Sequence, residues 1–370
     1  MKRTYLIPLA VVVILLFGIT LLAWRPGDPS RSCMDFYAGM DNPPAAAHGW
    51  CRAGEYFSWE STLPQNADFE ALNIFHICQG DPADPAILMI HGYPTSSFDF
   101  AALMMDLSQD HYVCALDTPG YGFSDKPQDG FDYSIFDDAR LVDDYIRHVA
   151  VLDDFTLFTH DKGDSVGLAL LAIYQAYDEQ PYSINHHFIT NGNIYLPLAQ
   201  LTAGQRIMLN PIAGPVVSSL LDADRLANNI AETTFAGPLP QGEIEAYASQ
   251  FAYQDGTRVQ HEIIMYLDER AEHEVAWLEA LANSEIPTTL IWGELDGIAP
   301  VAVPDHVWMN YLEHRAAAAA YWRIPCADHY LQVDAPLLLA DIVRSTISGE
   351  PSASELRGGN CPARRISAHP

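Results

Sequence analysis

Hydrophobic positions along this chain fall into two alternating patterns. Short unbroken apolar runs of strand length occur at Ala86–Ile90, Tyr112–Leu116, Phe155–Thr159, His187–Thr190, Thr288–Trp292 and Tyr321–Ile324, with further strand-like pieces at Gly54–Trp59 and Ala71–Cys78. Between them lie segments with apolar residues at helical spacing. These are Phe98–Leu107, Ser134–Leu152 (Ile135, Leu141, Val142, Ile146, Val149), the stretch after Gly163 (Val166, Leu168, Leu170, Leu171, Ile173) and Pro336–Ile347. Alternating strand and helix predict an α/β fold, a mostly parallel sheet covered on both faces. From Ile194 to about Ser284 the alternation stops and the pattern becomes helical and irregular. The expected organisation is therefore a core of residues 54–192 and 285–348, interrupted by a helical cap, residues 193–284, over the strand ends. Residues 25–53 read as a Pro/Gly/Asp/Ala-rich linker and residues 349–370 as a flexible tail.

The first residues add a membrane to this picture. Lys2 and Arg3 precede an uncharged stretch from Thr4 to Trp24. A spanning helix needs about 20 apolar residues and a signal-peptide core about 7–15. Residues 1–24 therefore predict a signal anchor, with the bulk of the chain exported to the periplasmic or extracellular side. The alternative is a cleaved signal peptide and a secreted protein. Six cysteines suit an oxidising compartment. Cys33–Cys51 and Cys326–Cys361 are the expected bridges, whereas Cys78 and Cys114, in strands, read as buried thiols. No cysteine pair has zinc-ligand spacing, so no metal is expected. The 370 residues carry 19 basic against 48 acidic side chains, a net charge of −29. Phosphate binding needs clustered Lys and Arg and no such cluster is visible, so no nucleic-acid partner is expected.

Candidate chemistry concentrates where the run Phe155–Thr159 stops at His160-Asp161-Lys162-Gly163 and a helix pattern begins at once. A nucleophile exposed on a tight strand-to-helix elbow needs small residues around it. Two residues compete for that place. Asp161 lies at the strand end. Ser165 lies in a literal G-x-S-x-G, Gly163–Gly167. Putting Ser165 at the elbow would carry the strand through Asp161, Lys162 and Asp164 and bury three charges. The strand therefore points to Asp161, with Ser165 as the alternative.

Three motifs in order extend this reading: H-G-x-P at His91–Pro94, D-x-P-G-x-G-x-S-D-K-P at Asp117–Pro127 and H-D-x-G at His160–Gly163. With them the chain resembles the α/β-hydrolase superfamily over residues 54 to 348, in the aspartate-nucleophile branch of haloalkane dehalogenases and epoxide hydrolases. HGYPTSSFDF (His91–Phe100), HDKGD (His160–Asp164), NGNI (Asn191–Ile194) and the cap run DGTRVQHEIIMYLDERAEHEVAWLEAL (Asp255–Leu281) look most like the mesoderm-specific transcript homologue group. The resemblance implies a triad of Asp161, His329 and Asp296, with Glu294 a local rival for the acid. It implies an oxyanion hole from the N–H groups of Tyr93 and Lys162. A small organic substrate would be attacked by Asp161 to give an alkyl-enzyme ester, which a water activated by His329 would hydrolyse. No cofactor is implied.

This sequence departs from the dehalogenase pattern at two positions. Those enzymes usually place Trp after the nucleophile and Asn or Trp near the H-G turn, where the chain has Lys162 and Tyr93. The epoxide hydrolase reading therefore comes first, and it calls for cap tyrosines that donate to the epoxide oxygen. Tyr195, Tyr247, Tyr253 and Tyr266 are available, and Tyr266, in the recognisable cap run, is the choice. Lys162 and Asn191 complete the candidate substrate contacts. Lys162 could instead pair with a carboxylate or hold Asp161 ionised. Haloalkane or haloacid dehalogenation, a Ser165 esterase and a non-catalytic binding protein on a hydrolase fold remain the alternatives.

Overall fold

A computed structural model describes residues 32–128, 130–349 and 361–369. The predicted anchor, residues 1–24, lies outside them. Among the described residues no helix is long and apolar enough to cross a membrane.

Among the described residues nine strands form one sheet: β1 (Glu55–Trp59), β2 (Leu72–Gln79), β3 (Ala86–Ile90), β4 (Tyr112–Leu116), β5 (Asp154–His160), β6 (Ser183–Thr190), β7 (Thr288–Gly293), β8 (Ala319–Ile324) and β9 (Arg364–His369). Their order is β1-β2-β4-β3-β5-β6-β7-β8-β9. From β4 to β8 every neighbouring pair is parallel, while β1, β2 and β9 are antiparallel additions at the two edges. The unbroken apolar runs follow from burial on both faces. Leu88 and Ile90 of β3 enter one core with the helices Ile135–Asp144, Lys162–Gln175 and Tyr266–Asn283, and Ile87 and Met89 enter the other. Between β6 and β7 the chain is helical, as the broken alternation predicts.

Three expectations need correction. Residues 25–53 are not all linker. Cys33–Ala38 and Ala45–Ala53 are helices, the first closed by a capping box between Ser32 and Asp35. Their Tyr37, Trp50 and Cys51 are buried and the Cys33–Cys51 bridge joins them. Helices this short offer too few turns for a periodic pattern to show. Nor is the tail wholly free. Cys361 is bonded to Cys326, and β9 pairs antiparallel with β8. Cys78 and Cys114 are not thiols but a disulfide, because β2 and β4 are antiparallel neighbours whose register sets the two residues opposite each other.

The loop after β4 shows why its motif exists. The Asp117 carboxylate accepts the N–H groups of Ser97 and Phe123, at 2.8 and 2.7 Å. The buried Lys126 ammonium donates to the carbonyls of Tyr121, Gly122 and Ser124. These contacts fix the loop that walls the ends of β3 and β5.

Candidate active site

β5 ends at His160 and the next helix starts at Lys162, leaving Asp161 alone in the turn with φ 53° and ψ −116°. A non-glycine residue in that region is strained and persists only where its surroundings over-determine it. Here they do. The Tyr93 N–H donates to Asp161 Oδ1 at 2.7 Å, and Asp161 N–H is held by the Thr190 carbonyl at 3.2 Å. Two glycines allow the close approach. A methyl group at Gly92 would stand 2.4 Å from Asp161 Cβ, and one at Gly163 would stand 2.3 Å from the Ile90 carbonyl oxygen. The Gly163 half of the G-x-S-x-G pattern therefore serves helix-to-sheet packing.

His329 reaches the elbow from the loop after β8. Its Nε2 is 3.5 Å from Asp161 Oδ2 and its Nδ1 is 2.9 Å from Asp296 Oδ2. Asp296, in the loop after β7, uses both oxygens. Oδ1 accepts Ile298 N–H and Ala299 N–H at 2.7 and 2.9 Å, and Oδ2 accepts from His329 and from Asn191 Nδ2 at 2.8 Å. Glu294 takes no part, being bound by Arg364 of β9. Burial opposes charge on all three groups, but the pairing outweighs it. Asp161 and Asp296 are held below the ordinary carboxylate range, both mainly by His329. His329, flanked by two carboxylates, is raised well above an ordinary histidine. His91 and His160 line the same turn. Burial drives both down to about 3, so they are neutral at physiological pH.

The expected substrate contacts are placed less simply. Asn191 spends its side-chain amide on the protein. It is fully buried between the ends of β6 and β7, donating to Asp296 and accepting Gly293 N–H at 2.8 Å. The Lys162 ammonium also turns away from the reacting atoms. It pairs with the buried Asp138, donates to Thr118 Oγ1 at 3.1 Å and lies 4.4 Å from the centre of the Tyr121 ring. Its backbone N–H opens the elbow helix, where the first N–H groups have no intrahelical partner. Ser165 sits one turn into that helix, 2% exposed, with Oγ held by Arg270 Nη1 at 3.2 Å and no histidine against it. That is the wrong surrounding for an activated serine.

Of the four cap tyrosines, Tyr266 is the one that faces the elbow. It packs against Tyr93 with ring centres 6.2 Å apart, and the Asp161 charge helps burial raise its hydroxyl well above the usual range. Tyr195 stacks on His306, whereas Tyr247 meets Phe98, and Tyr253 meets Phe36 and Phe123, edge to face. Asp164 Oδ2 and Arg270 Nε are buried without a hydrogen-bond partner among the described residues, and Tyr266 Oη and the buried Asn193 amide find no partner beyond each other there. Groups of this kind usually mark a place for a polar ligand or water. Sequence reading missed Asp138, Asn193 and Arg270. Asn193 lies in the NGNI run and Arg270 in the cap run, whereas no motif pointed to Asp138. A cavity of about 280 Å³ reaches Tyr93, His329 and Tyr330 and opens between cap helices. Among the described residues no cluster of side chains could hold a metal ion.

Comparison with known proteins agrees with this architecture. Residues 85–191 match the family model described as alpha/beta hydrolase fold. A Mycobacterium tuberculosis protein named "Putative hydrolase LipZ" is 33% identical over 268 residues, covering 72% of this chain and 90% of that protein. The mouse mesoderm-specific transcript protein is 29% identical, over 69% of this chain and 75% of its own length. In three dimensions the haloalkane dehalogenase DbeA of Bradyrhizobium elkani superposes with a TM-score of 0.65, covering 81% of this chain and all of that one at 22% identity. The chain belongs to the α/β-hydrolase superfamily, in a grouping with the mesoderm-specific transcript proteins, and is an enzyme of the hydrolase type.

Proposed function

We propose that Asp161 is the nucleophile of a hydrolase acting through a covalent alkyl-enzyme ester, with an epoxide or similarly strained cyclic ether as substrate. The observation that carries this is the strained Asp161, aimed between Tyr93 N–H and His329 Nε2. Asp161 attacks a ring carbon. The carbon–oxygen bond of the ring breaks, and the departing oxygen takes a proton from Tyr266 Oη, whose raised pKa keeps that proton in place until an alkoxide develops. Alkylation removes the Asp161 charge. One of the two carboxylates that keep His329 protonated is then gone, so the imidazolium can give its proton to the Tyr266 phenolate, which restores the phenol, and act as base. Neutral His329, oriented by Asp296, deprotonates a water that attacks the ester carbonyl carbon. The oxyanion is met by the N–H groups of Tyr93 and Lys162. Collapse breaks the ester carbon–oxygen bond, the proton of the added hydroxyl passes to the departing alkoxide, and a diol leaves with Asp161 again a carboxylate and His329 again an imidazolium.

Halide departure is supported less well. It needs N–H donors on the leaving group, and the two positions concerned hold Tyr93 and a Lys162 already paired with Asp138. The three disulfides support an oxidising compartment for the domain. A single turnover in heavy-oxygen water with an epoxide, followed by peptide mass spectrometry, tests the chemistry. Label is expected in the Asp161 peptide. Activity that survives Asp161→Ala and disappears in Ser165→Ala would overturn the reading.

A further inference from the structure

The first helices of the cap differ in character from the rest of this acidic protein. Residues 193–221 contain no Asp or Glu and one charged side chain, Arg206, in a chain with 48 acidic residues. They form the helices Ala203–Met208 and Ala213–Leu220. Along the second, Ile212, Val216 and Leu220 recur at i, i+4 and i+8, one face of a helix, and are 81%, 56% and 80% exposed. Ile207 and Val217, at 43% and 36%, belong both to this surface and to the wall of the cavity that leads to Tyr93 and His329. The apolar surface is thus the rim of the entrance to the candidate active site. Soluble monomers rarely expose a contiguous apolar patch of this kind without a function for it.

Where the described chain starts indicates what covers the patch. The helix Cys33–Ala38 packs on the cap, with Phe36 against Tyr253 at 5.5 Å and Tyr37 Oη 2.8 Å from Ser249 Oγ. A few residues on, the carbonyls of Thr257 and Arg258 accept Ser218 Oγ at 2.7 Å and fix the helix Ala213–Leu220. The start of the described chain and the apolar face therefore flank the same stretch of the cap. Before Ser32 the sequence contains the uncharged run Thr4–Trp24. At about 3.3–3.6 Å per residue, the chain from Trp24 to Ser32 reaches no more than about 29 Å. If that run lies in a bilayer, the cap is held close to its surface. The carboxylates elsewhere on the protein would be repelled by anionic headgroups, and this stretch has none to repel.

We propose that the face formed by Ile212, Val216 and Leu220 docks on a phospholipid bilayer, and that the cavity mouth beside it takes an apolar, membrane-dissolved substrate directly from the lipid. The substrate part of this rests on the hydrolase reading above, while the docking part does not. All six cysteines are in disulfides, so an introduced cysteine can be labelled selectively. The full chain is reconstituted in phosphatidylcholine vesicles with an environment-sensitive fluorophore on Ile212→Cys, Leu220→Cys or, as control, the exposed Met105→Cys. Blue-shifted emission and quenching by spin-labelled lipid are expected at 212 and 220 and not at 105. Equal, water-like emission at all three positions would overturn the docking. So would a blue shift at 212 and 220 that lipid quenchers leave unchanged, since it would mark a protein interface. The folded variant Ile212→Glu/Leu220→Glu should raise KM about tenfold for a long-chain epoxide in vesicles and leave a short soluble epoxide unaffected. Equal effects on both substrates would overturn entry from the lipid. If no epoxide is turned over, the chemical reading fails while the fluorescence result still decides the docking.

Discussion

Replacing Lys162 by methionine tests whether the least ordinary residue of the elbow serves the fold or the substrate. Lys162 and Asp138 are both buried and in direct contact. Asp138 has other acids around it. Asp137 and Glu269 both push its carboxyl up, and burial, the largest effect, raises it to about 6 even with the lysine present. Removing one partner of such a pair costs about 3–5 kcal/mol, because the other is left buried and uncompensated. The surrounding acids place Lys162→Met at the upper end, about 4–5 kcal/mol. Replacing both, as Lys162→Met/Asp138→Leu, removes the uncompensated charge and should recover most of that loss. The pH dependence has a definite sign. A carboxyl with a raised folded pKa binds its proton more tightly in the native state, so its contribution to stability falls as pH rises from about 4 to about 6. Without Lys162 that window extends upward, so the Lys162→Met deficit should be smaller at about pH 5 than at about pH 8. Urea unfolding of the four members of the cycle, at both pH values, measures this. Unchanged stability of Lys162→Met combined with a KM increase confined to anionic substrates would refute the structural role.

Other expectations follow from the same geometry. Asn191→Ala takes a donor from Asp296 and an acceptor from Gly293 N–H, so kcat should fall roughly 10–100-fold, about 1–3 kcal/mol, with KM little changed. Gly92→Ala sets a methyl group against Asp161 and should abolish turnover, as steady-state kinetics on the folded variant would show, whereas Gly242→Ala, in a helix and with nothing within 4 Å of the added methyl, should keep it. His329→Gln should be most destabilising at low pH. The raised His329 pKa contributes stability that is fully present below the ordinary histidine pKa of about 6.5 and is lost as pH rises through the folded value. Its stability deficit in urea should therefore be larger at about pH 6 than at about pH 10.

Much of this was legible in the chain because strand and helix periods are local properties. β3 to β8 and the helical interruption between β6 and β7 follow from runs of apolar residues a few positions long. That the elbow falls at Asp161 and not at Ser165 was legible because the apolar run stops there; the expected cost of burying charge was not the reason, since Asp161, Lys162 and Asp164 are all buried at the elbow as it stands. The Cys78–Cys114 bond and β9 escaped because each depends on a partner distant in sequence, and the helices at 33–38 and 45–53 because they are too short for a period to show. Cys78 is bonded because β4, not β3, lies beside β2.

The site divides along the same line. By itself, the sequence determined the hydrolase architecture, the order of Asp161, Asp296 and His329 along the chain, and the apolar N-terminal run. It gave residue types at strand ends, and those ends converge in any sheet of this order. Only the tertiary structure decided what the neighbouring side chains do. Asn191 holds Asp296, Lys162 answers Asp138 across 24 positions, and Tyr266 alone of the cap tyrosines faces the elbow. The physical reason is that a buried charge or hydrogen-bonding group must find its partner in space, and spatial proximity between separate elements is set by packing, which no local pattern records.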